Sequence, residues 1–239
     1  MQIIINKCFK IFIFLLLFPT FYIYAQQHEA ESNFKAIPIE GKSVEITEYI
    51  GNNWDVSIPP LFRRLPVTHI GNNAFRNKNL VSITIPEGVI QIGDRAFYNN
   101  QLTNIRIPDS VKTIGYGVFY GNFLTNVIIG NGITRIGVDS FNDNKLTSIT
   151  IGNSVTVIGH GAFGSNQLTS ITIPDSVKEI GWFAFTDNQL TSIIIGANVS
   201  METGDTPSFD NNFQDFYIRN GRKEGTYTYN KGEWSLKPR

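Results

Sequence analysis

Apolar residues recur along this chain at one fixed interval. Leu80, Leu102, Leu124, Leu146, Leu168 and Leu190 lie 22 residues apart with no insertion between them. Self-similarity at a period between about 20 and 50 residues is the mark of a solenoid. Each unit opens with the pattern L-x-x-I-x-I, as in LTSITI at 168–173. Within I-x-I the two isoleucines face one way and the middle residue the other, and this alternation of β-branched side chains predicts a strand. A proline or glycine closes it, at Pro86, Pro108, Gly130, Gly152, Pro174 and Gly196. Strands repeated at one offset in successive coils pair in parallel and in register, about 4.8 Å apart, which predicts one sheet running along the solenoid.

The remainder of each unit returns the chain to the next strand. An aliphatic residue recurs at Val89, Val111, Ile133, Val155, Val177 and Val199. An Ile-Gly pair follows, from Ile70/Gly71 through Ile92/Gly93, Ile114/Gly115, Ile136/Gly137 and Ile158/Gly159 to Ile180/Gly181. A glycine at the same place six times is expected to supply a turn with positive φ. A phenylalanine column comes next, at Phe75, Phe97, Phe119, Phe141, Phe163 and Phe185. Stacked coils bury such columns on one another, at about 1.5–3 kcal/mol for each large side chain. Asn100, Asn122, Asn144, Asn166 and Asn188 form a polar column two residues before each leucine. A buried amide is costly unless satisfied, so these side chains are expected to bond backbone groups left free where each coil turns.

The ends depart from the frame. VSIP at 56–59 matches the strand and its stop, with five extra residues before Ile70, and FQDFYI at 213–218 matches L-x-x-I-x-I with aromatics substituted. That makes eight strand positions between Val56 and Ile218. The repeats then occupy 56–212. Residues 44–55 form an N-terminal cap, and 213–239 a C-terminal cap holding a final strand and a hairpin at TYTYNKGEW, 226–234. Terminal units of a solenoid must close an otherwise open core. Residues 26–43 are expected to be a flexible segment.

Composition and charge restrict the function. Residues 1–25 place Lys7 and Lys10 before a dense apolar run that ends at the small residue Ala25, the order of a secretory signal peptide. The run from Ile11 to Tyr24 is shorter than the ~20 residues of a membrane span. Export follows, to the periplasm, the cell surface or the medium. Beyond residue 25 the chain holds 18 basic against 20 acidic residues and no cysteine. Its stability therefore comes from burial rather than disulfides, and near-neutral charge argues against nucleic acid as a partner. Only His28, His69 and His160 are available as histidines, and neither H-x-x-x-H nor C-x-x-C occurs. With no convergent acid, base, nucleophile or metal set, neither an enzyme nor a cofactor is expected.

LTSITIPDSVKEIGWFAF at 168–185 resembles the repeat of the BspA-like bacterial leucine-rich repeat family. Residues 44–75 resemble the start of such domains, and FYIRNGRKEGTYTYNKGEW at 216–234 the C-terminal segment of spirochaete-type members. Many members carry cysteine where this chain carries the asparagine column. The resemblance implies a leucine-rich repeat solenoid, mainly β: a curved right-handed coil with a parallel sheet of about eight strands, 22-residue repeats and β-rich caps. It also implies an exported, non-enzymatic protein that mediates adhesion or protein–protein interaction. Its partner would be a host extracellular-matrix or bacterial surface protein, with self-association in the cell envelope as the alternative.

Two rows of outward positions are candidates for binding. On the main sheet the outward residues are Ser57, Thr84, Arg106, Ile128, Thr150, Thr172, Ile194 and Tyr217. Arg106, Ile128 and Ile194 interrupt an otherwise bland run of threonines, which are ordinary solvated strand residues. After each Ile-Gly the residue varies: Asn72, Asp94, Tyr116, Val138, His160, Trp182. From Tyr116 onward this lateral row turns apolar, with Phe183 beside Trp182, as either a packing row or a second interface would require.

Overall fold

The computed structural model describes residues 28–202 and 207–239. The signal peptide expected at 1–25 lies outside the described residues. Each 22-residue coil contributes two short strands rather than one. The first is the expected I-x-I segment: Asp55–Ser57, Ser82–Thr84, Asn104–Ile107, Asn126–Ile129, Ser148–Thr150, Ser170–Thr172 and Ser192–Ile195. They stack along the solenoid, but their hydrogen-bonded ladders fall into three groups rather than the one continuous sheet expected, at 55–84, 104–150 and 170–195. Within each group pairing is parallel and in register, with Val127 opposite both Ile105 and Ile149. The first step, Val56 to Ile83, carries the five extra residues in its connection.

The second strand of each coil ends on the Ile-Gly pair. Leu65–Ile70, Gln91–Ile92 and Thr113–Ile114 form one parallel run, and Arg135–Ile136, Val157–Ile158, Glu179–Ile180 and Ser200–Met201 another. The turn expected at these glycines is therefore a strand end, and none of the six has positive φ. Their reason is close stacking. A Cβ on Gly93, Gly115 or Gly181 would stand 2.7 Å from the backbone nitrogen of Asn72, Asp94 or His160 in the preceding coil. The left-handed turn lies two residues later, at Asn73, Arg95, Gly117, Asp139, Gly161 and Phe183, all with φ between 53° and 60°.

The core lies between the two strand faces, and the phenylalanine column is its spine. Phe75, Phe97, Phe119, Phe141, Phe163 and Phe185 are fully buried and stack with centroids 5.1–5.4 Å apart. Tyr49 and Phe34 extend the stack at one end, Phe209 and Phe213 at the other. Each asparagine of the polar column bonds to its own coil and to the one before. The Asn144 amide donates to the carbonyls of Phe119 (2.9 Å) and Phe141 (3.2 Å), and its oxygen accepts from the Leu124 N–H (3.0 Å). Asn100, Asn122, Asn166 and Asn188 repeat this set. These are the backbone groups freed by the turn, so the column satisfies a cost the fold creates.

Both ends differ from expectation. Within 26–43, Phe34–Ile39 is a strand paired antiparallel with Ser43–Tyr49, which in turn pairs in parallel with Leu65–Ile70. Glu40 and Gly41 turn the chain with positive φ. Burial of Phe34 against Tyr49 and Phe75 orders the segment despite its polar composition. At the other end FQDFYI is not a strand but the helix Phe213–Arg219. Phe213, Phe216 and Tyr217 stand at i, i+3 and i+4, a helical face, and Tyr217 is fully buried rather than outward. The eighth place in the main sheet goes instead to Gly225–Asn230, which pairs antiparallel with Ser192–Ile195 and carries Glu233–Pro238 outside it.

Candidate protein-binding surfaces

On the main sheet the register brings Arg106, Ile128 and Thr150 into direct lateral contact on the outward side. Ile128 is 48% exposed although its neighbours along the strand, Val127 and Ile129, are buried. The pleat forces this: period-2 alternation sends the middle residue of I-x-I to solvent whatever its polarity. Arg106 reaches Glu87 at 3.6 Å, with both side chains more than half exposed. An ion pair so solvated contributes at most about 1 kcal/mol, so the guanidinium stays available to a partner.

Arg106 also separates two shallow clefts. One, of about 340 Å³, runs over Ile128 and Thr150 to the turn residues Asp109, Asn131 and Asn153. The other, of about 260 Å³, is lined by Thr84, Glu87 and Pro108. The Asp109 carboxylate accepts the Asn131 N–H at 2.7 Å and is thereby held at the cleft wall. Ile194 is not part of this patch. Thr150 and Thr172 stand between it and Ile128, and Thr226 of the hairpin pairs beside it and half-covers it.

The lateral row divides by chemistry. Its polar members form a second backbone ladder: the Asn72 oxygen accepts the Asp94 N–H (2.7 Å), Asp94 accepts the Tyr116 N–H (2.9 Å), and the Trp182 N–H is donated to His160 Nδ1 (3.0 Å). The aromatic members are exposed but not contiguous. Tyr116 lies under the Arg95 guanidinium, 4.9 Å from its ring, three coils from Trp182. Trp182 packs on the His160 ring at 5.1 Å, and His160 Nε2 lies 3.7 Å from Glu202. Phe183 is 45% exposed in a left-handed conformation, φ 58°. The structure thus brings Trp182 and Phe183 together and leaves Tyr116 apart.

Other exposed apolar residues fall outside both rows. Trp54 is 68% exposed before the first main-sheet strand, and Phe123 carries the Lys145 ammonium 4.6 Å above its ring. Trp54 lies in the irregular first coil, whereas Phe123 interrupts the regular polar column of Gln101, Lys145, Gln167 and Gln189, a periodic signal of the same kind as Ile128 in the threonine row. Among the described residues, no three His, Cys, Asp or Glu side chains come together as a metal group would require.

Two faces of stacked parallel strands, a phenylalanine spine and an asparagine ladder at a 22-residue period define a leucine-rich repeat protein. The model of the BspA type leucine rich repeat region matches in six copies, over residues 68–191 and 134–229, and the chain belongs to that family. Leucine-rich repeat proteins generally bind proteins, and this family is typically one of interaction or surface proteins. Among solved structures, the chain is similar to the Treponema pallidum leucine-rich repeat protein TpLRR, at 28% identity and a TM-score of 0.61, over 65% of this chain and 75% of that one. It is also similar to a leucine-rich cell surface protein from Faecalibacterium prausnitzii A2-165, at 25% identity and a TM-score of 0.55. That match covers 89% of this chain and 61% of the other, so the chain spans less than two thirds of that protein. No curated protein matches it.

Proposed function

We propose that this is an exported, non-enzymatic binding protein that takes a protein partner on the main-sheet face around Arg106 and Ile128. The observation that carries the reading is the adjacency of an exposed isoleucine and a weakly paired arginine, flanked by clefts, on a face otherwise made of threonine and serine. An apolar anchor beside an arginine is the composition of an interface centre, whereas solvated threonines add little. Family membership supports the reading, because a constant frame with locally changed outward residues is how repeat proteins place sites. A host extracellular-matrix or bacterial surface protein is the partner class that fits export and the cell surface protein among the similar structures.

Near-neutral charge makes long-range attraction weak, so binding should rest on contact and survive moderate salt. Solid-phase binding to immobilised matrix proteins over a salt series tests this. An affinity that collapses between low and physiological salt would contradict it. Self-assembly is the alternative reading, and the outermost strand argues against it: Glu233–Pro238 ends the sheet with Glu233, Lys237 and Pro238, residues that blunt an edge. Light scattering over a concentration series should give one constant mass, while growth with concentration would favour assembly.

A further inference from the structure

The C-terminal cap carries a cleft of about 490 Å³, away from the main-sheet patch. We propose that it binds a neutral saccharide of one or two rings. Its floor is aromatic. Phe216 and Tyr229, both half-buried, line it, and Trp234 packs beside Tyr229 at 5.1 Å. Its rim carries the exposed polar side chains of Asn212, Asp215 and Arg219 from the helix and Glu233 from the hairpin.

The combination suits a sugar, although Asp215 and Arg219 also pair with each other at 3.7 Å in an exposed ion pair. A sugar ring presents an apolar C–H face and a circumference of hydroxyls. The first fits an aromatic floor, and the second suits carboxylate, amide and guanidinium groups that bond two neighbouring hydroxyls at once. The volume lies within the about 300–1,000 Å³ usual for small-ligand sites. Asp215 and Glu233 against Arg219 leave an excess of negative charge, which disfavours acidic sugars.

Two features indicate a site that is built rather than left over. The Trp234 indole N–H is donated to the Asn211 carbonyl at 2.8 Å, tying the floor to the rim. Tyr229 lines the cleft, and its hydroxyl makes no hydrogen bond among the described residues.

The test is ¹H–¹⁵N NMR of the protein titrated with glucose, N-acetylglucosamine, cellobiose, maltose and N,N′-diacetylchitobiose. The Trp234 indole signal, assigned with Trp234→Phe, should shift saturably with at least one sugar while those of Trp54 and Trp182 stay in place. Tyr229→Phe and Asp215→Asn keep the shape of the cap and should each weaken that sugar about tenfold, the loss of one or two hydrogen bonds. No Trp234 shift with any of the five sugars overturns the proposal. So does a shift whose affinity both variants leave unchanged. Because Arg106 and Ile128 are untouched, neither result bears on the main-sheet reading.

Discussion

Asn144 and Gly115 show how single residues hold neighbouring coils at a fixed spacing, by opposite means. Asn144 adds atoms where the turn leaves backbone groups unpaired, and Gly115 removes atoms where two backbones nearly touch. Asn144→Ala should cost about 1–3 kcal/mol, the penalty of leaving buried groups unsatisfied. Asn188→Ala should cost less, because Asn188 is half-buried at the last repeat. Gly115→Ala should cost about 1–3 kcal/mol through overpacking. Gly117→Ala meets only ordinary contacts, and its left-handed backbone should cost about 1–2 kcal/mol. Urea melts of the four variants check all these values. If Gly117→Ala were much the worse of the two glycine changes, conformational freedom rather than close stacking would be the constraint. The difference was hidden in the sequence because a repeated glycine reads alike for either cause. Only the neighbouring coil's backbone distinguishes them.

At the scale of elements, the spine and its caps form one continuous aromatic column. Phe163→Ala opens a cavity between two coils and should destabilise by about 3–5 kcal/mol; a loss near zero would mean that the column is not core. In the C-terminal cap, Tyr227 is fully buried, and desolvation, aided by Tyr217, pushes its hydroxyl from the ordinary 10.0 up to about 12. Burial raises Tyr217 as well. The neutral forms are therefore favoured in the folded state. The contribution of Tyr227 is complete below pH 10 and is lost as pH rises through about 12. Melts between these limits should show falling stability, and Tyr227→Phe should flatten that fall. An equal slope in the variant would assign the loss to other groups. The repeats were legible because 22-residue periodicity repeats one burial pattern many times. FQDFYI occurs once, and its aromatic spacing fits both the strand template and a helical face. The helix prevailed because it buries Phe213 and Tyr217 together on the end of the stack. The N-terminal hairpin was missed for a related reason: Phe34 is the only large aromatic in a polar stretch, and its partners Tyr49 and Phe75 are remote in sequence.

For the whole molecule, an invariant frame presents a few changed side chains to solvent. The sequence marked Arg106, Ile128 and Ile194 alike, as interruptions of a threonine row. Their fates differ because the hairpin covers one end of the sheet, a contact no repeat pattern encodes. Likewise Trp182 and Phe183 remain side by side, while the lateral row around them is largely a backbone ladder. Trp182→Asn removes exposed aromatic surface and should leave partner binding unchanged if the main sheet is the interface. The most direct measurement is the affinity of the double variant Arg106→Ser, Ile128→Thr for whichever immobilised matrix protein the wild type binds, with thermal melts beside it. The expected result is a loss of about tenfold or more, as for an interface centre, with a melt within a degree or two of the wild type. Wild-type affinity in a variant that melts like the wild type would contradict the main-sheet assignment.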